Sequence, residues 1–300
     1  MKASAWGLFA LVSLLWGVPY LFIEIALRDI GPLWIAAGRV AIAALVMTPF
    51  LLHRQRWRVL TKRWRALLVL AVVEVVVPLS LITLGQLSVP SGTTGVIIAT
   101  EPIFVAVLAP LLVRKPWLNP SGWVGLVLGL IGVTTLLGLD DAGPAVLLIA
   151  GAALAYGLGA ILIGHWFSNY DALTVAAAMI LAAAPILIAI AAAAEPFRAP
   201  SESTVLSLIT LGVACTAGGF SAFFALIKRA GPTTAALTTY TAPIIAVVAG
   251  VLVLRENLTL WQVLSCSLIL IGAAFIVRLK PRRGRRPSKM DPAEQSSIKL

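Results

Sequence analysis

The sequence predicts an all-α integral membrane protein whose ten transmembrane helices form two inverted five-helix repeats. Of its 300 residues, 60% are hydrophobic and only 12% are charged, whereas a soluble domain has about 45 to 50% apolar residues. The apolar residues fall into ten runs, each close to the roughly 17 to 25 residues that a membrane-spanning helix needs. The runs cover residues 6–27, 33–52, 66–86, 92–112, 121–139, 144–164, 173–194, 204–227, 233–254 and 260–277. One long stretch within these runs also occurs twice.

The repeated stretch begins at Ser91 and reads SGTTGVIIATEPIFVAVLAPLLVR. It recurs at an offset of 141 positions as TTAALTTYTAPIIAVVAGVLVLR, which pairs Pro102 with Pro243 and Arg114 with Arg255. A proline inside a spanning helix leaves a backbone carbonyl without its helical partner, and such helix breaks usually border a cavity or a moving part. We therefore expect hinges at Pro102 and Pro243.

Other spans repeat at nearly the same offset. The first run matches the sixth at 140 positions, with Trp16 opposite Tyr156, and the second run matches the seventh more weakly. Because five is an odd number, the two copies cross the membrane in opposite directions, as in the inverted repeats of many secondary transporters. The predicted units are residues 1–139 and 140–279. Residues 280–300 are rich in charge and proline, which predicts a disordered basic cytoplasmic tail.

The formal net charge is +11, and the positions of the basic residues decide its meaning. If the N-terminus is cytoplasmic, most basic residues fall on the inner side, as the positive-inside rule requires, and an even number of spans places both termini in the cytoplasm. The protein is then a multi-pass protein of the cell membrane. The charges form no single patch, so we expect no nucleic-acid partner. The basic loop at residues 53–65 either lies on anionic lipid headgroups or only fixes the topology.

Motifs for nucleotide-driven or metal-dependent chemistry do not occur in the sequence. It contains neither GxxxxGK[ST] for ATP nor HExxH for zinc. Cys215 and Cys266 lie within different spans, and His53 and His165 lie in different loops or span ends. We therefore expect no disulfide framework, no metal site, no cofactor and no catalytic residue, so the protein is not expected to be an enzyme.

Four charged residues lie within predicted spans: Glu24, Arg39, Glu74 and Glu101. A charge at the bilayer centre costs about 2.5 to 3.5 kcal/mol on insertion scales, so such residues usually pair or serve a function. We assign Arg39 and Glu24 to a structural ion pair. One cation cannot neutralise three carboxylates, so Glu74 and Glu101 either stabilise the fold or meet a proton or a cationic group.

Polar and aromatic residues recur at helical spacing on two predicted spans and so share a face of each helix. They are Ser13, Trp16, Tyr20 and Glu24 on the first span, and Thr234, Thr238 and Thr241 on the ninth. Such stripes either line a cavity that binds a solute or pack within the bundle.

The fifth span carries a GxxxG motif formed by Gly125 and Gly129, followed by Gly132. This spacing lets another helix approach closely, either from the same chain or from a second protomer. Internal packing is the simpler interpretation, and a homodimer is the alternative.

Several motifs stand in a fixed order along the chain. They are LLWGVPYLFIEIAL in the first span, the single Arg39 in the second, ATEPIFVAVLAPLL in the fourth, and APII from Ala242, followed by Arg255 and Glu256. In this order, over residues 5–279, they resemble the EamA family of the drug/metabolite transporter superfamily. The resemblance implies a ten-helix carrier with a central cavity that exports amino acids, other metabolites or drugs. Glu24 and Lys115 depart from the family's pattern, so the resemblance implies no particular substrate.

The resulting hypothesis is a secondary transporter whose halves rock around a midplane cavity to export a small metabolite such as an amino acid or a drug, with proton coupling left open. In this hypothesis, aromatic side chains contact apolar parts of the solute and glutamates meet a cationic group or a proton. The residues expected to bind the solute are Trp16, Tyr20, Glu74, Glu101, Tyr156, Tyr240 and Thr241. The alternatives are a membrane-embedded enzyme acting on a lipid, which needs clustered His, Asp or Glu near an interface, and a scaffold without transport activity.

Overall fold

The computed structural model describes residues 3–53, 56–114, 117, 120–137, 143–257 and 259–277. These residues form α-helices, two π-helical segments and short turns, and no strand occurs among them. The predicted tail at residues 280–300 and the predicted boundary between the repeats, at residues 139 and 140, lie outside the described residues. We refer to residues 3–137 as the first half of the chain and to residues 143–277 as the second half.

The described residues of the first half form nine helices and one π-helical segment. They are α1 Ala3–Gly17, α2 Pro19–Leu27, α3 Pro32–Leu52, α4 Arg58–Lys62, α5 Trp64–Leu70, the first π segment Ala71–Val76, α6 Val77–Gly85, α7 Ser91–Ile98, α8 Glu101–Val113 and α9 Pro120–Leu137. In the second half, the residues that the structure describes form seven helices and the second π segment. They are α10 Gly143–Trp166, α11 Ala172–Ala194, α12 Glu202–Ile209, the second π segment Thr210–Gly218, α13 Gly219–Ala230, α14 Pro232–Ala236, α15 Thr238–Val253 and α16 Leu260–Val277.

Within the described residues, eight helical stretches are long and apolar enough to cross a membrane. They are Ala5–Leu27, Pro32–Leu52, Trp64–Gly85, Ser91–Val113, Gly143–Trp166, Ala172–Ala194, Glu202–Ala230 and Thr234–Val253. Two shorter apolar helices, Pro120–Thr135 and Leu260–Phe275, lie where the fifth and tenth spans are predicted. Large apolar side chains such as Leu45 and Leu252 are exposed, as expected where lipid replaces water. The chain is therefore an all-helical, multi-pass membrane protein.

Several of these stretches are interrupted. In the fourth predicted span, α7 ends at Ile98 and α8 begins at Glu101 with Pro102 in its first turn. The predicted hinge at Pro102 thus coincides with a helix break. In the ninth predicted span the break lies at Leu237, between α14 and α15, while Pro243 lies inside α15.

Helices from the two halves pack against each other in pairs. α3 packs against α11, α9 against α16, and α7 against α15. α10 of the second half packs against α6 and α8, and α1 of the first half packs against α13 and α15. The largest buried core lies where α3 meets α11, and it contains many alanines, among them Ala36, Ala177 and Ala183. Small residues let these two helices approach closely without an aqueous hydrophobic driving force.

The GxxxG motif of α9 packs against α16 of the same chain. A Cβ atom built on Gly272 of α16 would lie 2.5 Å from the carbonyl oxygen of Gly125 and 2.6 Å from the backbone nitrogen of Gly129. Any side chain at position 272 would therefore push the two backbones apart. Since the motif has an internal partner, it does not require a second protomer.

We expect Gly272→Ala to lower the free energy of unfolding by about 1 to 3 kcal/mol, the usual cost of overpacking, because the atoms it meets belong to the backbone. Gly164→Ala is a matched control within α10. A Cβ atom there meets nothing within 4 Å, and alanine favours a helix by up to about 1 kcal/mol over glycine. Thermal unfolding of both purified variants measures the difference, and equal midpoints would contradict the close contact.

Candidate functional site

Five of the predicted residues lie together within the bundle. Glu74 and Glu101 are close enough to interact electrostatically. Tyr20 is close enough to interact electrostatically with Arg39 and Glu101. Tyr156 interacts in this way with Tyr20, Arg39, Glu74 and Glu101. We call these five residues the central cluster. The first half supplies four of them, and α10 of the second half supplies Tyr156.

The residues of the central cluster are neither fully buried nor fully exposed. Tyr20, Glu101 and Tyr156 are surrounded by neighbouring helices, yet each retains part of its accessible surface. A side chain in a close-packed core loses nearly all of its accessible surface. Charged residues within membrane spans generally face the interior of the bundle or a water-filled cavity, and partial accessibility is compatible with either position.

Arg39 is held by the second π segment. Its Nε donates a hydrogen bond to Thr216 Oγ1 at 2.8 Å, and the Thr216 hydroxyl donates to the carbonyl oxygen of Leu211 at 2.7 Å. The Thr216 hydroxyl bonds five residues back along the chain, as a π-helical turn allows, and π-helical turns are frequent at functional sites. This contact joins α3 of the first half to the second half at the level of the central cluster.

The structure does not join Arg39 to Glu24 in the predicted ion pair. Among the described residues, a salt bridge joins Lys228 Nζ to Asp171 Oδ1 at 3.8 Å, and none joins Arg39 to Glu24. Glu24 lies nearer the end of α2, where Glu256 and Arg28 act on it electrostatically and the Gln86 side chain hydrogen-bonds to it. The ion pair fails to form because the second π segment turns Thr216 towards Arg39, while Glu24 lies among other groups.

Glu74 lies in the first π segment and contacts α10. A Cβ atom built on Gly159 would overlap the Oε2 atom of Glu74, so the glycine makes room for the carboxylate. The same Oε2 atom is buried and has no hydrogen-bond partner in the described structure. A buried acceptor without a donor is costly, and native proteins retain such groups mainly where they serve a function.

Glu101 begins α8, directly after the helix break that follows α7. The N-terminus of a helix carries a partial positive charge, which stabilises a nearby carboxylate. The break therefore places Glu101 in the central cluster and also makes its negative charge less costly there.

The remaining predicted residues make contacts between the halves or within the second half. The Trp16 ring lies 4.5 Å from that of Phe223 and 6.2 Å from that of Phe220, measured between centroids. Thr241 Oγ1 lies 2.6 Å from the Ser13 hydroxyl, so the two predicted polar stripes do meet. Tyr240 donates its hydroxyl to the carbonyl oxygen of Ala273 at 2.7 Å, which places it against α16.

One end of the bundle is closed by carboxylates that bind helix N-termini in the other half. This end comprises residues 28–31, 87–90, 195–201 and 254–257, and we call it the acidic end. The first turn of a helix has backbone N–H groups without helical partners and carries a partial positive charge. A carboxylate there accepts hydrogen bonds from the N–H groups and is attracted by the charge. Three such contacts cross from one half to the other.

Glu256 makes the most extensive of these contacts. Its Oε1 accepts hydrogen bonds from the Ser91 backbone N–H at 2.8 Å and from the Ser91 hydroxyl at 2.6 Å. Its Oε2 accepts a third from the Gly92 N–H at 3.1 Å. A carboxylate from the second half thus caps α7 of the first half.

Glu195 and Asp29 close the acidic end in the same way. Both carboxylate oxygens of Glu195 lie 3.2 Å from the Leu33 backbone nitrogen at the start of α3, and the Glu195 carbonyl accepts a hydrogen bond from Trp34 Nε1. In the opposite sense, Asp29 of the first half accepts a hydrogen bond from the Ser201 N–H, which precedes α12. The two halves therefore cap each other's helices reciprocally.

The contact of Asp29 predicts a pH dependence. The backbone N–H and hydroxyl of Ser201 lower the pKa of Asp29 below its ordinary value of 3.8. A lowered folded-state pKa means that ionised Asp29 stabilises the fold; this contribution is complete above the ordinary pKa and is lost as the pH falls through the lowered one. We expect Asp29→Asn to unfold at a lower temperature than the native protein near neutral pH, with the difference shrinking in strong acid. A difference that grows on acidification would contradict the contact.

The sequence and the fold of this chain resemble those of known proteins. The EamA-like transporter family matches the chain twice, over residues 4–138 and over residues 143–278. The chain belongs to this family. A crystal structure of a protein superposes with a TM-score of 0.66 at 21% identity, covering 92% of this chain and 98% of that chain, which shows a shared fold.

Similar sequences in this family come from archaea and bacteria. An uncharacterized transporter of Archaeoglobus fulgidus is 26% identical over 91% of this chain and 98% of its own length. The uncharacterized transporter YvbV of Bacillus subtilis is 27% identical over 92% of each chain. The uncharacterized inner membrane transporter YedA of Escherichia coli strain K12 is 27% identical, covering 90% of this chain and 89% of the relative. The family and these relatives are named as transporters, which supports transport in general.

The sequence alone did not identify several residues that position the site. Thr216 carries no signal because a threonine in an apolar span usually bonds to its own helix. Gln86, whose amide donates to the Tyr20 carbonyl at 2.9 Å, lies at the end of a predicted span and resembles an ordinary boundary residue. Glu256 offered a signal, since it directly follows Arg255 at the end of the repeated stretch. Within the described residues, no group of three or more His, Cys, Asp or Glu residues is placed to hold a metal ion.

Proposed function

We propose that this EamA-like protein is a secondary carrier that moves a small cationic metabolite or drug by alternating access around the central cluster. The observation that supports this most directly is the composition of the cluster, in which two carboxylates outnumber one arginine among partly accessible side chains. Three further features support the proposal: the charges of the central cluster, the internal repeat and the closure of the acidic end.

The charges of the central cluster favour a solute that carries an amino or other cationic group. Arg39 already donates to Thr216, and Glu74 has a buried oxygen without a donor. A solute ammonium group supplies several donors and a positive charge, and it binds carboxylates through charge-assisted hydrogen bonds. Tyr20 and Tyr156 supply aromatic faces for the rest of the solute. A proton binding to Glu74 or Glu101 would compete with the solute, which is one route to proton-coupled exchange.

The internal repeat supports ten spans in two inverted five-helix halves. Both family matches, the π segments and the left-handed residues Arg114 (φ 53°) and Arg255 (φ 56°) fall at corresponding positions of the two halves. The pairs α3 with α11 and α9 with α16 join corresponding helices, and the contact of α7 with α15 joins the corresponding fourth and ninth spans. Self-pairing of equivalent helices is what a two-fold relation between the halves requires. Carriers of this kind bind solute near the midplane between their repeats.

Alternating access is supported by the reciprocal closure of the acidic end. Its three contacts join surfaces of the two halves through hydrogen bonds to charged groups, so they can be broken and remade as the halves rock. The opposite end carries basic residues, among them Arg58, Lys62 and Lys228. The positive-inside rule then favours a cytoplasmic location for that end and for both termini. In this orientation the carrier is closed towards the outside, and we propose that it exports its solute.

Solute flux in proteoliposomes tests the proposal. The panel contains organic cations and neutral and anionic analogues of similar size, each measured with and without a pH gradient and against protein-free liposomes. We expect flux of cations to exceed that of anionic analogues at least about tenfold, which corresponds to roughly 1.4 kcal/mol of discrimination. Equal flux for both charge classes, or none above protein-free liposomes, would contradict it.

A further inference from the structure

A second group of unpartnered polar atoms lies away from the central cluster, between α2 and the end of α6. Glu24 in α2 has a buried Oε2 atom that receives no hydrogen bond in the described structure. The predicted partner, Arg39, donates to Thr216 instead. An ionised carboxylate can only accept hydrogen bonds, so Oε2 lacks a donor where it lies, even though the Gln86 side chain hydrogen-bonds to the Glu24 carboxylate.

Gln86, which follows α6, lies beside Glu24 and also has a buried oxygen without a hydrogen-bond donor. Only 3% of its surface is exposed, its Nε2 donates to the Tyr20 carbonyl oxygen at 2.9 Å, and its Oε1 is buried without a donor. Because the Tyr20 carbonyl can only accept, this bond fixes which end of the amide faces it. Rotating the amide by half a turn would place two acceptors against each other, so it cannot remove the deficit.

The charged groups that act on Glu24 do not supply the missing donor. They are Arg28, an exposed residue that directly follows α2, and Glu256, from the turn after α15. Glu256 adds a second negative charge, and its own oxygens already accept three hydrogen bonds from the start of α7. The two neighbouring carboxylates therefore favour the uptake of a positive charge between them.

We propose that Glu24 and Gln86 form a proton-binding site, distinct from the central cluster. A proton on Glu24 turns an acceptor into a donor and removes one of the two negative charges, and the buried amide oxygen of Gln86 is an acceptor that still lacks a donor. A metal cation needs several oxygen ligands, whereas the side chains here offer two unpartnered oxygens. The site would bind its proton whether or not the protein transports a solute, and only its use in coupling rests on the proposed function.

Tyr20 connects this proton site to the central cluster. Its backbone carbonyl holds Gln86, and its side chain lies within electrostatic range of Arg39 and Glu101. The Glu24 and Gln86 pair is therefore linked to the central cluster through a single residue, Tyr20. The site also touches the acidic end through Glu256, so protonation can bias both solute binding and closure.

Infrared spectroscopy of the full-length protein in lipid nanodiscs, without any solute, tests the site. The carbonyl stretch of a protonated carboxyl group is followed through a pH titration for the native protein and for Glu24→Gln. We expect Glu24→Gln to lose one component of the protonated-carboxyl band of the native protein, any remainder belonging to Glu74 and Glu101, and to take up one proton fewer per chain. Glu202→Gln, which removes an exposed glutamate at the start of α12, is the matched control and should keep the band.

A second variant keeps the test decisive if Glu24→Gln does not fold. Gln86→Met is similar in size but has no amide oxygen, and it should shift the band because the protonated carboxyl group loses its acceptor. An unchanged band in both variants would overturn the proposal. A rise in the unfolding temperature with Na⁺ that Glu24→Gln abolishes, without a carboxyl band, would overturn it in favour of a metal cation. Because no solute is present, these results are independent of whether flux is found.

Discussion

Glu101→Gln should reduce the flux of a cationic solute at least about tenfold while leaving the fold intact. The carboxylate stands at the helix break between α7 and α8, within the central cluster. A hydrogen bond to a charged group contributes about 1.5 to 3 kcal/mol, and its loss weakens binding by roughly 10- to 150-fold. Glutamine has nearly the same shape as glutamate, so the variant removes the charge and little else. The measurement is initial flux in proteoliposomes at matched protein content.

Two comparisons separate this effect from damage to the fold. Glu202→Gln removes one glutamate charge from an exposed position outside the cluster and should transport like the native protein. Thermal unfolding of Glu101→Gln should match or exceed that of the native protein, because a neutral side chain is cheaper to bury. If flux is unchanged in Glu101→Gln, or if flux and unfolding temperature fall together, the assignment of Glu101 to the solute site is wrong.

The sequence predicted the members of the central cluster because charged and aromatic residues are conspicuous within apolar spans. Glu74 and Glu101 were selected by the cost of burying a charge, and Tyr156 by its position opposite Trp16 in the repeat. The structure brings Glu74, Glu101 and Tyr156 together. Their role in binding the solute stays a prediction.

The contacts of the charged residues were harder to predict because they depend on local helix geometry. A regular period of 3.6 residues does not reveal the second π segment, and it is this segment that turns Thr216 towards Arg39. The ion pair of Arg39 with Glu24 was inferred from the cost of unpaired charges within spans, and that cost does not fix the direction in which a side chain points. Similarly, proline composition predicted a hinge at Pro243, whereas the break in that span lies at Leu237.

The acidic end could not be recognised from composition either. Acidic loop residues contribute little to the positive-inside rule, so Glu195 resembled an ordinary surface charge in the sequence, and Glu256 was marked only by its place after Arg255. Their function becomes visible only when α3 and α7 present N-termini from the other half of the chain. Reciprocal capping of this kind is a property of how the halves meet, and it leads to the second large effect.

Glu256→Ala should open the acidic end. The carboxylate accepts three hydrogen bonds that hold α7, and the loss of even about 1.4 kcal/mol shifts an equilibrium between closed and open states tenfold. Spin labels at Leu87→Cys and Leu252→Cys, in a background with Cys215→Ala and Cys266→Ala, report the separation of the halves at this end. We expect the native protein to give one dominant short distance and Glu256→Ala to add a longer one.

The direction of this change distinguishes a gate from a simple structural contact. If the acidic end is a gate, Glu256→Ala lengthens the distance there while the protein still unfolds cooperatively and still binds solute, because the central cluster is untouched. Glu256→Gln retains one carbonyl acceptor and should give an intermediate population. If both variants keep the native distance and only unfold at a lower temperature, the capping contacts serve stability, and the closure of this end has no part in transport.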